Sequence, residues 1–357
     1  MELSKLCGQL VVGGFSGTSL TPSFERALRA GERGGAILFK RNLGGGLDEV
    51  LALTASIVAA SGEPPILAVD QEGGRVARFG PPALRVPPMR RLTAIGDPEL
   101  TERVTRAQAM ELRALGFSTG FAPVLDVDTN PANPVIGDRS FARDAAVVAR
   151  YAVAAAAGMR KGGIFACGKH FPGHGDTHVD SHLALPVVDR ARAEIDAVEV
   201  APFRALARAG IEAMMTAHVV FSALDAEVPA TLSYAICTAL LRRDLGFQGV
   251  LFSDDLEMKA LRAPVEETAV GAIAAGCDLL LVCSDESLQA RAHEALVREA
   301  ERSAEFLARC REALARARGL RRAFPPRPVG DRAALDAVFA SSASVADELT
   351  ARGAWAT

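Results

Sequence analysis

Residues 169 to 182 read Lys-His-Phe-Pro-Gly-His-Gly-Asp-Thr-His-Val-Asp-Ser-His, so His170, His174, His178 and His182 share one short stretch with Asp176 and Asp180. Imidazole titrates nearest neutrality, and a carboxylate beside it fixes its tautomer, so this stretch is suited to moving protons or to holding a metal ion. It follows an apolar run, Ile164 to Cys167, and precedes another, Leu183 to Pro186, as a functional loop leaving a strand end would. His174, His178 and His182 are spaced four apart, which on a helix would align them as ligands, with Asp176 or Asp180 completing a zinc shell. Pro172, Gly173 and Gly175 argue against a helix here, although an irregular metal loop stays open.

A second reading joins this loop to a distant carboxylate. Asp180 lies two residues before His182, close enough in an extended loop to orient the ring and leave its other nitrogen free, which makes His182 a candidate general acid/base. Asp254 ends the apolar run Gly249 to Asp254 and would project as a fixed nucleophile. Together they supply the two roles of retaining glycoside hydrolysis.

Groups so far apart in sequence need a frame that brings strand ends together. Eight short apolar runs have strand character: Leu10 to Phe15, Ala36 to Lys40, Ile66 to Asp70, Gly120 to Leu125, Ile164 to Lys169, Ala213 to His218, Val250 to Asp254 and Leu279 to Cys283. Amphipathic stretches near 22–31, 46–61, 98–115, 142–161, 190–209, 233–245, 264–275 and 286–297 alternate with them, the pattern of an α/β (β/α)8 TIM-type barrel. Asp70 to Arg75, Asp126 to Asp128, Lys169-His170, His218 and Ser253 to Asp255 all fall at C-terminal strand ends, the face that carries active sites in that fold. A long helix should run from 298 to about Arg322, and Phe324-Pro325-Pro326-Arg327-Pro328 should break it. The expected organisation is one catalytic barrel over residues 1–323. A Pro-rich connector and C-terminal helical extension would occupy 324–357, the helix near 331–352 packing back through Leu335, Val338, Phe339, Val345 and Leu349.

Composition narrows the partners. The chain has 357 residues, 49% hydrophobic and 23% charged, with a net charge of -3, so it offers no basic footprint for nucleic acid. The first ten residues do not form a secretory signal, and the six cysteines include no C-x-x-C pair, which favours free thiols in a reducing compartment. No apolar run approaches the roughly 18 residues of a membrane span. A cytoplasmic monomer acting on a small polar substrate is expected, with neither nucleic acid nor membrane as partner.

The motifs resemble those of glycoside hydrolase family 3, in its β-N-acetylhexosaminidase branch of bacterial peptidoglycan recycling. They are Asp70 to Phe79 (DQEGGRVARF), Val135 to Phe141 (VIGDRSF), the whole Lys169 to His182 loop, and Phe252 to Met258 (FSDDLEM). The resemblance implies a retaining exo-β-N-acetylglucosaminidase that releases terminal β-linked N-acetylglucosamine from small muropeptide substrates. The products' source would be N-acetylglucosamine on 1,6-anhydro-N-acetylmuramic acid, with or without peptide. It implies Asp254 as nucleophile, His182 as acid/base with Asp180 its dyad partner, and Asp70, Arg78, Arg139, Lys169 and His170 as sugar-binding residues. It calls for no metal and no organic cofactor. The acid/base would move into place on its glycine-bearing loop. Rival readings are a family 3 glycosidase or phosphorylase of other sugar preference, a metal-dependent hydrolase using the histidines, and a non-catalytic sugar-binding barrel.

Overall fold

A computed structural model describes residues 1–181 and 184–355. Its strands are β1 (Val11–Gly13), β2 (Gly35–Leu38), β3 (Ile66–Val69), β4 (Cys167–Phe171), β5 (Val187–Val188), β6 (Ala213–Thr216), β7 (Val220–Phe221), β8 (Val250–Asp255) and β9 (Leu279–Val282). Seven of them form one sheet in the order β3-β2-β1-β9-β8-β6-β4, with every pairing parallel. Because β9 pairs with β1, the sheet curls round until the gap between β3 and β4 is the one left to close.

Residues 118–125 fill that gap. The Val69 N–H donates to Thr119 O at 3.3 Å and Gln71 N–H to Gly120 O at 3.0 Å, while Cys167 N–H reaches Ala122 O at 2.7 Å and Leu125 N–H reaches Lys169 O at 2.6 Å. The barrel thus has its eighth stave where the sequence put it, but Gly120 to Leu125 is not a regular strand. Pro123 has no N–H to give a ladder and Phe121 sits at φ 39°, so pairing shrinks to the isolated bridges Ala68 with Thr119 and Val124 with Lys169.

Side chains alternate along each stave, dividing the apolar residues between two packings. Val12, Ile37, Phe165, Met215, Phe252 and Leu281 fill the barrel interior, where Phe252 meets Phe121 edge-on at 5.3 Å. Their neighbours Val11, Leu38, Ala166, Met214, Leu251 and Leu280 face the surrounding helices. Burying one such phenylalanine contributes about 1.5–3 kcal/mol.

Several of the helices start at a side-chain cap, as Asp144 does for Ala145–Gly162 and Asp97 for Pro98–Ala114. Two expected helices are each interrupted once. The segment near 190–209 is Arg192–Ala197 followed by Val200–Arg208, because Pro202 cannot donate to the Val198 carbonyl. The C-terminal one divides at Ser342 into Arg332–Ser341 and Ala343–Ala351. Likewise the long stretch to Arg322 is the end of Glu286–Arg302 and a fresh helix, Ala304–Ala323, capped by Ser303. Leu335, Phe339 and Leu349 are buried, and both C-terminal helices lie against Pro98–Ala114. No helix among the described residues is long and apolar enough to cross a membrane.

Candidate active site

Two irregular strand ends build the site. In a regular strand Lys169 and His170, or Asp254 and Asp255, would point to opposite faces. Instead the pairing register shifts between Gly168 and Phe171 in β4 and between Phe252 and Asp255 in β8. All four side chains consequently line one cavity of about 210 Å³ at the C-terminal mouth of the barrel. The bulge in β8 is held by its own side chains. Ser253 Oγ accepts the Leu281 N–H at 3.0 Å, and Asp255 Oδ1 accepts the N–H groups of Glu257 and Cys283 at 3.1 and 3.2 Å. His218 Nε2 lies 2.9 Å from the Asp255 carbonyl, which only accepts, so Nε2 carries a proton. Its Nδ1 sits 2.7 Å from Thr231 Oγ1.

These contacts give the two adjacent aspartates different chemistry. Burial disfavours charge on Asp254, but the charges of His170 and His218, the Asp255 N–H and Lys169 outweigh it and hold the carboxyl below the usual range. Asp255 is pushed up to about 7 by burial, with Glu257 and Asp254 as further acidic neighbours. Asp254 is therefore the ionised member and the one suited to attack.

A chain of ion pairs forms the opposite wall. Asp70, at the end of β3, accepts from Arg78 Nη2 at 3.0 Å and from Lys169 Nζ at 3.1 Å. Lys169 also reaches Glu72 at 2.7 Å, and Glu72 takes Arg139 Nε and Nη2 at 2.9 Å each, a bidentate fork. Burial works against the Glu72 charge, yet Arg139 and Lys169 bring its carboxyl well below the normal range. Gln71 fastens the returning loop, its Oε1 accepting the N–H groups of Arg78 and Phe79 at 2.7 and 3.1 Å. Behind His170, the fully buried Asp126 accepts from its Nδ1 at 2.7 Å and from the His174 N–H at 2.7 Å. That fixes the proton of His170 on Nδ1, with Nε2 uncommitted among the described residues.

The histidine loop is pinned along its first half. His174 Nε2 contacts Ser181 Oγ and its Nδ1 contacts Thr177 Oγ1, each at 2.9 Å. Asp176 is clamped by Arg190 at 2.6 Å, and Asn133 Nδ2 donates to the carbonyls of His174 and Gly175 at 2.8 and 3.1 Å. The glycines allow close approach: a Cβ on Gly175 would collide with the Val127 carbonyl oxygen, and one on Gly173, at φ +146°, would meet Glu199 at 2.9 Å. Among the described residues no group of three or more His, Cys, Asp and Glu is placed to hold a metal ion.

Residues 7–316 match the glycosyl hydrolase family 3 N-terminal domain. The chain belongs to glycoside hydrolase family 3. This family 3 chain is 43% identical over 284 residues to a β-hexosaminidase from Neisseria meningitidis serogroup C, covering 77% of the chain and 78% of that relative. Among solved structures it is similar to a family 3 β-N-acetylglucosaminidase from a Paenibacillus species, with a TM-score of 0.91 and 37% identity over 99% of this chain and 69% of that one. It is also similar to NagZ from Neisseria gonorrhoeae in complex with N-trifluoroacetyl-D-glucosamine, at TM-score 0.72 and 38% identity, covering 87% and 97% of the two chains. The enzyme is a glycoside hydrolase.

Of the residues singled out from sequence, Asp70, Arg78, Arg139, Lys169, His170 and Asp254 line the one cavity, together with His174 and Ser181 of the loop. Asp180 is half-buried beside Ser181, with its backbone carbonyl accepting the Ala184 N–H at 3.1 Å. His182 lies outside the described residues. Glu72, Asp126 and Ser253 were marked only as members of strand-end clusters, with no role of their own, and Thr231 was not singled out. Glu72 and Asp126 did carry a signal, since each is a carboxylate in a strand-end motif, but their partners are 67 and 44 residues away.

Proposed function

We propose that this β-N-acetylhexosaminidase is a retaining exo-enzyme acting on peptidoglycan fragments. It removes terminal β-linked N-acetylglucosamine from 1,6-anhydro-N-acetylmuramic acid, with or without an attached peptide. The observation that carries the reading is an ionised Asp254 lining one small cavity with Asp70, Arg78, Arg139, Lys169 and His170. Such a cavity suits one terminal sugar, and forked donors and carboxylates suit its hydroxyls and acetamido oxygen. The β-hexosaminidase and β-N-acetylglucosaminidase names of the similar proteins support the same sugar.

In this reading Asp254 attacks the anomeric carbon while His182, oriented by Asp180, protonates the departing oxygen. The bond from sugar to aglycone breaks as the Asp254 ester forms. His182 then takes a proton from water, which cleaves the ester and releases the sugar with its configuration retained. Asp126 keeps His170 in one tautomer so that Nε2 is available to the substrate.

The test compares wild type with Asp254→Ala on aryl N-acetyl-β-glucosaminide and aryl β-glucoside, in chelator, with and without added phosphate. Cleavage of the glucosaminide by wild type in preference to the glucoside, unaffected by chelator and lost in the variant, is expected. Chelator-sensitive turnover would favour the metal-dependent alternative, and a sugar 1-phosphate product would make the enzyme a phosphorylase. Digestion of a defined N-acetylglucosaminyl-1,6-anhydro-muramyl substrate, with and without peptide, then tests the natural substrate.

A further inference from the structure

The family match ends at residue 316, yet the chain beyond it returns to the loop that carries Arg78. Three contacts connect them. Trp355 lies under the Arg85 guanidinium, 4.7 Å from Cζ to the ring centre. Glu111, buried in Pro98–Ala114, accepts the Leu84 N–H at 2.8 Å through Oε2, and the nearby Ser342 side chain favours its ionised form. Val329 N–H donates to Ala114 O at 2.9 Å, and Pro328 is close enough to Gly116 that a Cβ there would lie 3.1 Å away. That turn leads into Phe117, whose ring meets Phe79 edge-on at 5.7 Å, and Phe79 directly follows Arg78.

We propose that residues 328–355 buttress the sugar-binding loop, with Trp355 and Glu111 as positioning residues that hold Arg78 against Asp70. The loop needs such support. Between Gly73 and Pro88 its internal backbone bonds are the short bridge of Gly73 with Val76, the Gly74 to Val86 hydrogen bond and the turn in which Ala83 N–H donates to Gly80 O. Arg78 is aimed by a backbone held at Gln71 on one side and at Leu84 and Arg85 on the other. Loosening the far side spreads the positions open to the guanidinium, which weakens substrate binding and leaves the reacting groups across the cavity untouched. The inference rests on Arg78 being a sugar-binding residue, as proposed above.

The test measures KM and kcat for aryl N-acetyl-β-glucosaminide, and the Kd of N-acetylglucosamine, in Trp355→Ala, Trp355→Phe, Glu111→Ala and Arg78→Ala, and in Trp355→Ala combined with Arg78→Ala. Trp355→Ala should raise KM and Kd about two- to five-fold with kcat unchanged, the scale of an exposed cation–π contact, and Trp355→Phe should recover most of it. Glu111→Ala should act in the same direction. In the Arg78→Ala background Trp355→Ala should have no further effect. Arg103→Ala, which removes the Arg103 to Glu348 pair on the same extension, should leave KM at the wild-type value. Unchanged KM and Kd in Trp355→Ala and Glu111→Ala, alongside weakened binding in Arg78→Ala, would overturn the buttress. If Arg78→Ala itself binds sugar as wild type does, the assignment of Arg78 fails instead.

Discussion

At the scale of single residues, the site separates like groups by their surroundings. Asp254 and Asp255 are adjacent carboxylates, but the first faces His170, His218 and Lys169 while the second is buried with acidic neighbours. Asp254→Ala should lower kcat by about three orders of magnitude or more with the fold intact, whereas Asp255→Asn should act first on stability. Circular dichroism beside the rate measurement distinguishes the two. Asp126 acts through His170. Asp126→Asn should cost about 10- to 100-fold in kcat/KM, the loss seen when an orienting partner of a functional imidazole is removed. A wild-type rate in that variant would detach His170 from the reaction. His174 is not set up for proton transfer: burial and the neighbouring His170 push it toward its neutral form, and hydroxyls face both ring nitrogens.

At the scale of elements, bulges and close contacts do the aiming. The β8 bulge leaves the Leu281 N–H without a regular backbone acceptor, and Ser253 Oγ takes that place. Ser253→Ala should therefore cost about 1–3 kcal/mol, the price of one buried unsatisfied donor, read as a lowered urea midpoint. Gly175→Ala should be worse, about 3 kcal/mol or more, because the new methyl group would collide with the Val127 carbonyl, a backbone atom that cannot swing aside. A merely mobile loop would tolerate that alanine with no loss of melting temperature. The contacts made by the glycines of the motif are visible only in three dimensions, because the neighbours they admit, Val127 and Glu199, are distant in sequence.

At the scale of the whole molecule, a buried carboxyl ties stability to pH. Glu199 lies beneath Gly173, and neither of its oxygens has a hydrogen-bond partner among the described residues. Burial pushes it up to about 7, against the partial relief of its own N–H and Arg190. Below pH 4.5 it is protonated both folded and unfolded and leaves stability unaffected. Between about 4.5 and 7 the unfolded chain releases a proton that the folded chain keeps, so stability falls as pH rises, by about 3 kcal/mol at most. Glu199→Gln should thus be about 1–3 kcal/mol more stable than wild type at pH 8 and nearly equal to it at pH 4. Equal denaturation midpoints at pH 8 would show that water or a shifted neighbour already neutralises the charge.

The sequence by itself determined the eight-stave order, because strand and helix periods alternate along the chain and each apolar run is long enough to be read. It also gave the chemistry-bearing motifs, since Asp70, Arg78, Arg139, Lys169, His170 and Asp254 stand at strand ends or in the loops that leave them. Tertiary structure decided the rest. Alternation would have turned His170 or Asp254 away from its neighbour, and the bulges that set both pairs toward one cavity depend on partners from β6 and β9. The Gly120 to Leu125 stave is irregular because of where Pro123 falls against two neighbouring strands. Glu72 and Asp126 became part of the site through ion pairs with residues far along the chain. A strand's own sequence specifies which faces are apolar, whereas register shifts, buried charge pairing and backbone contact are set by what lies across from it.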